Sequence, residues 1–203
     1  WLMGASSARA VVLSVLVRRW SWDIEALDAI LQDGDFGPGA LSADERTALA
    51  KVDLSTAPEA AHADMPEWAV PHLEATFGGD WIIEAAALAA RAPIDLRANA
   101  LKSSRDKVLK ALSRFGAVPT PHSTVGVRIG VGREFERQAN VIREPGYQKG
   151  WYEVQDEASQ LAVMLAGATP GEQILDFCAG AGGKTLALAA EMDNRGQVHA
   201  FDS

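Results

Sequence analysis

Residues Glu172–Thr185 read EQILDFCAGAGGKT. The apolar run Gln173–Phe177 predicts a strand, with Asp176 near its end. The small residues Cys178–Gly183 predict a loop, and Lys184–Met192 a helix. Gln197–Phe201 predicts a second strand, followed directly by Asp202. Just upstream, Ala158, Leu161, Ala162 and Leu165 recur at helical spacing. Asp156 can cap that helix, and Gly167 with Pro170 can end it. Helix, strand, helix, strand is the first half of a parallel α/β sheet. Its first strand–loop–helix turn is where an open sheet of this kind holds a nucleotide-like cofactor.

Three cofactor classes use such a loop. A triphosphate loop, G-x-x-x-x-G-K-[ST], fits Gly183-Lys184-Thr185 but needs glycine at residue 178, which is Cys. A dinucleotide fingerprint fits Gly180 and Gly182 but ends on Thr185, where close helix–strand packing wants a minimal side chain. S-adenosylmethionine has no pyrophosphate. It asks only that backbone approach an amino-acid moiety and an adenosine, which the small residues Ala179–Gly183 permit. A carboxylate beyond the next strand should then accept from the ribose hydroxyls, and Asp202 stands there.

Upstream the pattern changes twice. Residues 1–91 read as helices. Val11, Val12, Val15, Leu16 and Trp20 suggest one apolar face, and Ile24, Leu27, Ile30 and Leu31 another. Ser42 and Glu45 form a capping-box signature. Gly34–Gly39 reads as a loop. Pro66 can open a helix over Glu67–Phe77, and Trp81–Arg91 reads as a further helix. Residues 92–149 read as a small α+β module. Ile94, Leu96 and Ala98 alternate with Asp95, Arg97 and Asn99 as in a strand with one polar face. Ser103 can cap a helix bearing Val108, Leu109, Leu112 and Phe115, closed by Gly116, and Val125–Ile129 predicts a second strand.

The charge follows this division. Residues 1–90 carry 5 basic and 14 acidic side chains, residues 91–149 carry 12 and 5, and residues 150–203 carry 2 and 8. A basic middle segment in a chain of net charge −8 points to one part that docks a polyanion. The cations include Arg97, Lys102, Arg105, Lys107, Lys110 and Arg114, several near the first strand–helix junction. The single cysteine excludes an internal disulfide and fits a reducing cytoplasm. Four scattered histidines give no metal-ligand spacing, and Ala10–Val17 is too short to span a bilayer. The chain opens on Trp1, so a native start further upstream is expected.

The segments DFCAGAGGKT and GWYEVQDEASQLA together resemble the NOL/NOP/Sun (RsmB-type) family of RNA cytosine-5 methyltransferases. The matching positions are Gln155-Asp156-Glu157-Ala158, Asp176, Cys178, Ala179, Gly182, Gly183, Lys184 and Thr185. Ala181 departs, standing where proline is usual. Pro66–Gly78 and Pro93–Leu112 resemble, less sharply, the segment ahead of the family's catalytic domain. The resemblance implies the start of a Rossmann-like class I methyltransferase sheet over 150–203, truncated at Ser203. Ahead of it would lie a helical region (1–91) and an RNA-recognition-like module (92–149). It implies S-adenosylmethionine held by Cys178, Ala179, Gly180, Ala181, Gly182, Gly183, Lys184 and Asp202. RNA, ribosomal or transfer, would be positioned by cations such as Arg97, Lys102 and Arg105. Lys184 has an alternative as a solvated helix-start residue. The family's reaction uses cysteines on later strands, so no catalytic residue is expected here, and the chain alone should transfer no methyl group. Cys178 is then expected to pack behind the loop as a small buried hydrophobe with an inert thiol. The open sheet should show an exposed apolar face. Two other readings remain: a non-catalytic RNA-binding module with a retained loop, and an NAD-dependent oxidoreductase.

Overall fold

In the computed structural model the chain divides into two units, residues 1–91 and 92–203. The structure describes residues 3, 7–32, 37–51, 54–132 and 136–202, so the first half of the expected loop Gly34–Gly39 lies outside the described residues. No helix among them is long and apolar enough to cross a membrane.

The first unit is helical. Ser7 caps α1 (Ala8–Ser14) by accepting from the Ala10 amide, and the chain then widens into a π-helical turn at Val15–Arg19. There follow α2 (Ile24–Leu31), α3 (Ala43–Ala50), α4 (Glu59–His62), α5 (Val70–Phe77) and α6 (Trp81–Ala89). Ser42 and Glu45 form the full capping box of α3. Leu13, Leu27, Leu31, Leu41 and Leu49 make one core, and Ala63, Trp81 and Ala85 another. The face expected on α1 is corrected. Ala10 and Leu13 turn inward, while Val11 and Val12 are more than half exposed. Nearly every residue from 10 to 17 is apolar, so spacing alone could not choose the buried face. Ile30 is likewise exposed on α2. The segment Glu67–Phe77 starts as a 3-10 turn at Glu67–Ala69 and becomes α-helical only at Val70, with Pro71 in the first turn.

The second unit opens with β1 (Ile94–Ala98), α7 (Arg105–Ala111), β2 (Val118–Pro119) and β3 (Gly126–Ile129). It continues with α8 (Pro145–Gln148) and β4 (Tyr152–Val154). The strands form one antiparallel sheet in the order β2-β3-β1-β4. This sheet takes in Tyr152–Val154, past residue 149, where the expected module stops. Leu96, Ala98, Val127, Ile129 and Tyr152 from the sheet pack with Val108 and Leu112 around α7. The Tyr152 hydroxyl donates to the Val141 carbonyl at 2.8 Å. The cap of α7 is Ser104, whose hydroxyl accepts from the Lys107 amide, and not Ser103.

Next come α9 (Glu157–Ala166), β5 (Gln173–Phe177), α10 (Gly183–Glu191) and β6 (Gln197–Phe201). β5 and β6 pair in parallel with Asp176 opposite Ala200 and Phe177 opposite Phe201. Val163 of α9, Ala187 and Leu188 of α10, and Ile174 and Val198 of the strands share one core. The other strand parity faces outward. Leu175, Phe177 and Phe201 are each more than half exposed, with the two phenyl rings stacked at 5.3 Å.

Candidate cofactor loop and basic surface

Parallel pairing explains why two distant stretches meet. β5 and β6 end in register, so Cys178 and Asp202 leave the sheet side by side. The Ala179 amide donates to the Phe201 carbonyl at 2.9 Å, extending the ladder by one step. The Gly180 amide then donates to the Asp202 carboxylate. Gly182 takes φ +80° as the N-cap of α10, a left-handed conformation in which a side chain would be strained although nothing stands within 4 Å to clash. Behind the loop, the Thr185 hydroxyl donates to the carboxylate of buried Asp176, tying the end of β5 to the first turn of α10. The seven expected positions Cys178–Lys184 therefore lie on one strand–loop–helix turn, with Asp202, the eighth, beside it. Gly180, Ala181, Lys184 and Asp202 are exposed.

Cys178 is a correction. It is exposed and holds φ +66°, so its thiol does not pack behind the loop. The left-handed backbone there swings the side chain away from the core that Ile174 and Val198 enter.

Gln155 was legible only as part of a helix introduction, and the structure gives it a larger place. Its amide donates to the Asp95 carbonyl at 3.0 Å, its carbonyl accepts from Gln160 Nε2 at 2.8 Å, and its Oε1 accepts from Arg97 Nε at 2.7 Å. The side chain is 7% exposed. A Cβ on Gly183 would stand 3.5 Å from Gln155 Nε2, so that amide group faces the start of α10.

Arg97 is the second correction. It is 4% exposed and spent on Gln155, so it is not a surface cation. Burial pulls its guanidinium below the ordinary value, and the negative charges of Glu153 and Glu191 oppose that pull. The polar parity of β1 does not face water at all. It meets α9 across a buried network. Asp95 accepts both Arg128 Nε and Nη2 at 2.7 Å, and also the Glu157 amide at 3.1 Å. Glu157 Oε1 accepts the amides of His122 and Ser123 at 2.7 and 2.9 Å. Ser123 donates to Gln160 at 2.7 Å. Burial pushes the Glu157 carboxyl up, but the Ser123 and His122 amides, together with Thr120 and the His122 charge, hold the group below its ordinary value. The segment Gln155-Asp156-Glu157 is thus the seam between the antiparallel sheet and the parallel one, with Asp156 capping α9.

The remaining cations gather differently from the sequence expectation. Lys107 Nζ lies 3.9 Å and Lys149 Nζ 5.1 Å from the centroid of the Trp151 ring. Lys102 Nζ is close to Gly150, where an added Cβ would come within 2.9 Å of it. Arg105 is half-buried and donates to the Ser123 carbonyl at 3.2 Å, and Arg114 pairs with Glu144. Lys102 is the one of the three expected RNA-contacting residues that is exposed. Lys149 and Trp151 were missed because they lie more than 40 residues from Lys107 in sequence and meet it only through the β1–β4 pairing.

Residues 65–135 match the family model of the RsmF/B-like methyltransferase ferredoxin-like domain. The chain is 33% identical over 148 residues to the "Ribosomal RNA small subunit methyltransferase B" of Vibrio cholerae, covering 73% of this chain and 33% of that protein. It spans about a third of the length of that curated relative. Among solved structures, a "Methyltransferase Homolog Protein" from Pyrococcus horikoshii superposes with a TM-score of 0.58 at 25% identity, over 74% of this chain and 48% of that one. NSun6 from the same organism, solved with SFG, shares the fold at a TM-score of 0.56 and 15% identity, over 68% and 58% of the two chains. The chain belongs to the RsmF/B-like methyltransferase family and carries that family's ferredoxin-like domain.

Proposed function

We propose that this chain is the RNA-docking and cofactor-loop portion of an S-adenosylmethionine-dependent methyltransferase acting on cytosine C5 of ribosomal RNA. In this reading residues 1–91 are a helical region, 92–149 the core of the RNA-docking module, and 150–203 the first part of a Rossmann-like domain. The observation that carries it is the convergence of the Cys178–Gly183 loop with Asp202 at the ends of two parallel strands. The ribosomal RNA relative and the neighbour solved with SFG support the substrate and cofactor classes.

The residues fit the cofactor. Asp202 offers a carboxylate to a ribose, the loop from Ala179 to Gly183 leaves backbone open to close approach, and α10 presents its N-terminus to an anionic group. When bound, the cofactor supplies an electrophilic methyl group. The chain's own part is to bind and orient. The Asp176–Thr185 bond fixes the loop between strand and helix, and the network around Glu157 holds the RNA-docking sheet rigidly against α9. Lys107 and Lys149 at the Trp151 ring, with Lys102 beside Gly150, would hold RNA phosphate while the indole stacks a base, giving affinity that falls with salt. The one cysteine, Cys178, sits in the loop, so the two-thiol chemistry that the resemblance implies is not carried by these residues.

A thermal-shift comparison tests this reading. S-adenosylmethionine should raise the melting temperature and NAD should not, and Asp202→Ala should remove most of the shift. Stabilisation by NAD alone overturns it.

A further inference from the structure

Resting on the cofactor reading above, we propose that Gln155 is a further ligand-binding residue of this loop: its side-chain N–H group binds the carboxylate of the amino-acid moiety of the ligand. Gln155 is 93% buried, and every other polar atom it has is engaged. Its amide, carbonyl and Oε1 are held by Asp95, Gln160 and Arg97. Of the polar atoms of Gln155, Nε2 is the one without a hydrogen-bond partner in the chain. This nitrogen is not sealed off from solvent, so a ligand from outside the chain can reach it, while the rest of the side chain is held in place by the buried network.

The Arg97 bond settles which way the side-chain amide faces. Oε1 is the atom that accepts from the guanidinium, so the nitrogen must take the opposite side, toward Gly183. A methyl group on Gly183 would stand in van der Waals contact with that nitrogen and cover it. Gly183 is the first residue of α10, a helix of nine residues with no side-chain cap. Its free amides and the Gln155 amide nitrogen bring donors of the same sense to one place, and an anion satisfies both. At the opposite end of the loop Asp202 offers only acceptors and negative charge. The loop is therefore polarised. A carboxylate is repelled from the Gly180 end and attracted to the Gly183 end, while hydroxyls suit Asp202. Arg97 enters as a positioning residue, because it fixes the amide without reaching the ligand.

The test uses two ligands that differ by one group: S-adenosylmethionine and its decarboxylated form. Binding of each to the intact chain is measured by isothermal titration calorimetry. Gln155→Glu keeps an oxygen for Arg97 and replaces the donor by a negative charge. It should weaken S-adenosylmethionine by about tenfold or more. The decarboxylated ligand should bind the substituted protein as well as the original, or better. Gly183→Ala leaves the Arg97–Gln155 pair intact but sets a methyl group against Nε2, and should show the same selectivity between ligands. A structural role would weaken both ligands together in both variants, and that result, or unchanged affinity in Gln155→Glu, overturns the proposal. If the unsubstituted chain binds neither ligand, the cofactor reading itself fails, and the Gln155 assignment with it.

Discussion

Arg97 and Lys149 illustrate how residues of one type divide between two duties. Arg97 sits on β1 under α9 and fills the acceptor of a buried amide. Lys149 lies beside the Trp151 ring at the surface. Arg97→Met should therefore cost about 1–3 kcal/mol in urea denaturation, because Gln155 Oε1 is left unpaired in the interior. The salt dependence of RNA binding should barely move. Lys149→Ala should do the reverse, leaving the urea midpoint in place and lowering the slope of log affinity against log salt by about one. The basic excess of the middle segment was legible in the sequence, but the assignment of each cation was not. Alternation along Ile94–Asn99 marks two faces, and only the packing of α9 shows that the polar one is covered.

At the level of elements, the turn from α10 into β6, at the end of the strands away from the loop, is a tightly constrained piece of backbone. Gly196 holds φ +122°, and a Cβ there would fall 2.5 Å from the Glu172 carbonyl oxygen and 2.3 Å from the Met192 methyl. Gly196→Ala should destabilise by about 2 kcal/mol or more, read as a drop in the thermal midpoint. It should also weaken cofactor binding, since β6 carries Asp202 to the loop. The two paired strands were readable to the residue, Gln173–Phe177 and Gln197–Phe201, because short apolar runs bounded by glycine and polar residues leave little choice of register. The helices of residues 1–91 were readable as helices, and Ile24, Leu27 and Leu31 of α2 face the core as expected, but the facing of α1 was not readable. A run such as Ala10–Val17 is apolar all round, and the π-helical turn that follows changes the residue period within the same stretch. Gln155 was hidden for a different reason. Its partners Arg97, Gln160 and Gly183 come from three separate elements.

Across the whole molecule, carboxylates held by amides and guanidinium groups set the response to acid. The Leu41 amide and Arg46 hold Asp28 below its ordinary value, and Arg9 with the Ser42 amide does the same for Glu45. Glu157 is lowered in the second unit. A group with a depressed folded-state value contributes its stability above the unfolded value, 4.5 for a glutamate, and loses it as pH falls through the depressed one. Melting temperatures should thus be flat from neutral pH to about pH 5 and fall below that. Glu157→Gln should start lower and fall less steeply. The open face of the β5–β6 pair, with Leu175, Phe177 and Phe201 outward, adds a patch that polar solvent covers poorly.

Trp151 has one more consequence. It is the single tryptophan of residues 92–203, although the whole chain holds six. Its indole lies within reach of two ammonium groups that a bound polyanion would draw away. The second unit thus carries a built-in optical label, and its ultraviolet emission reads the state of the basic surface without any dye.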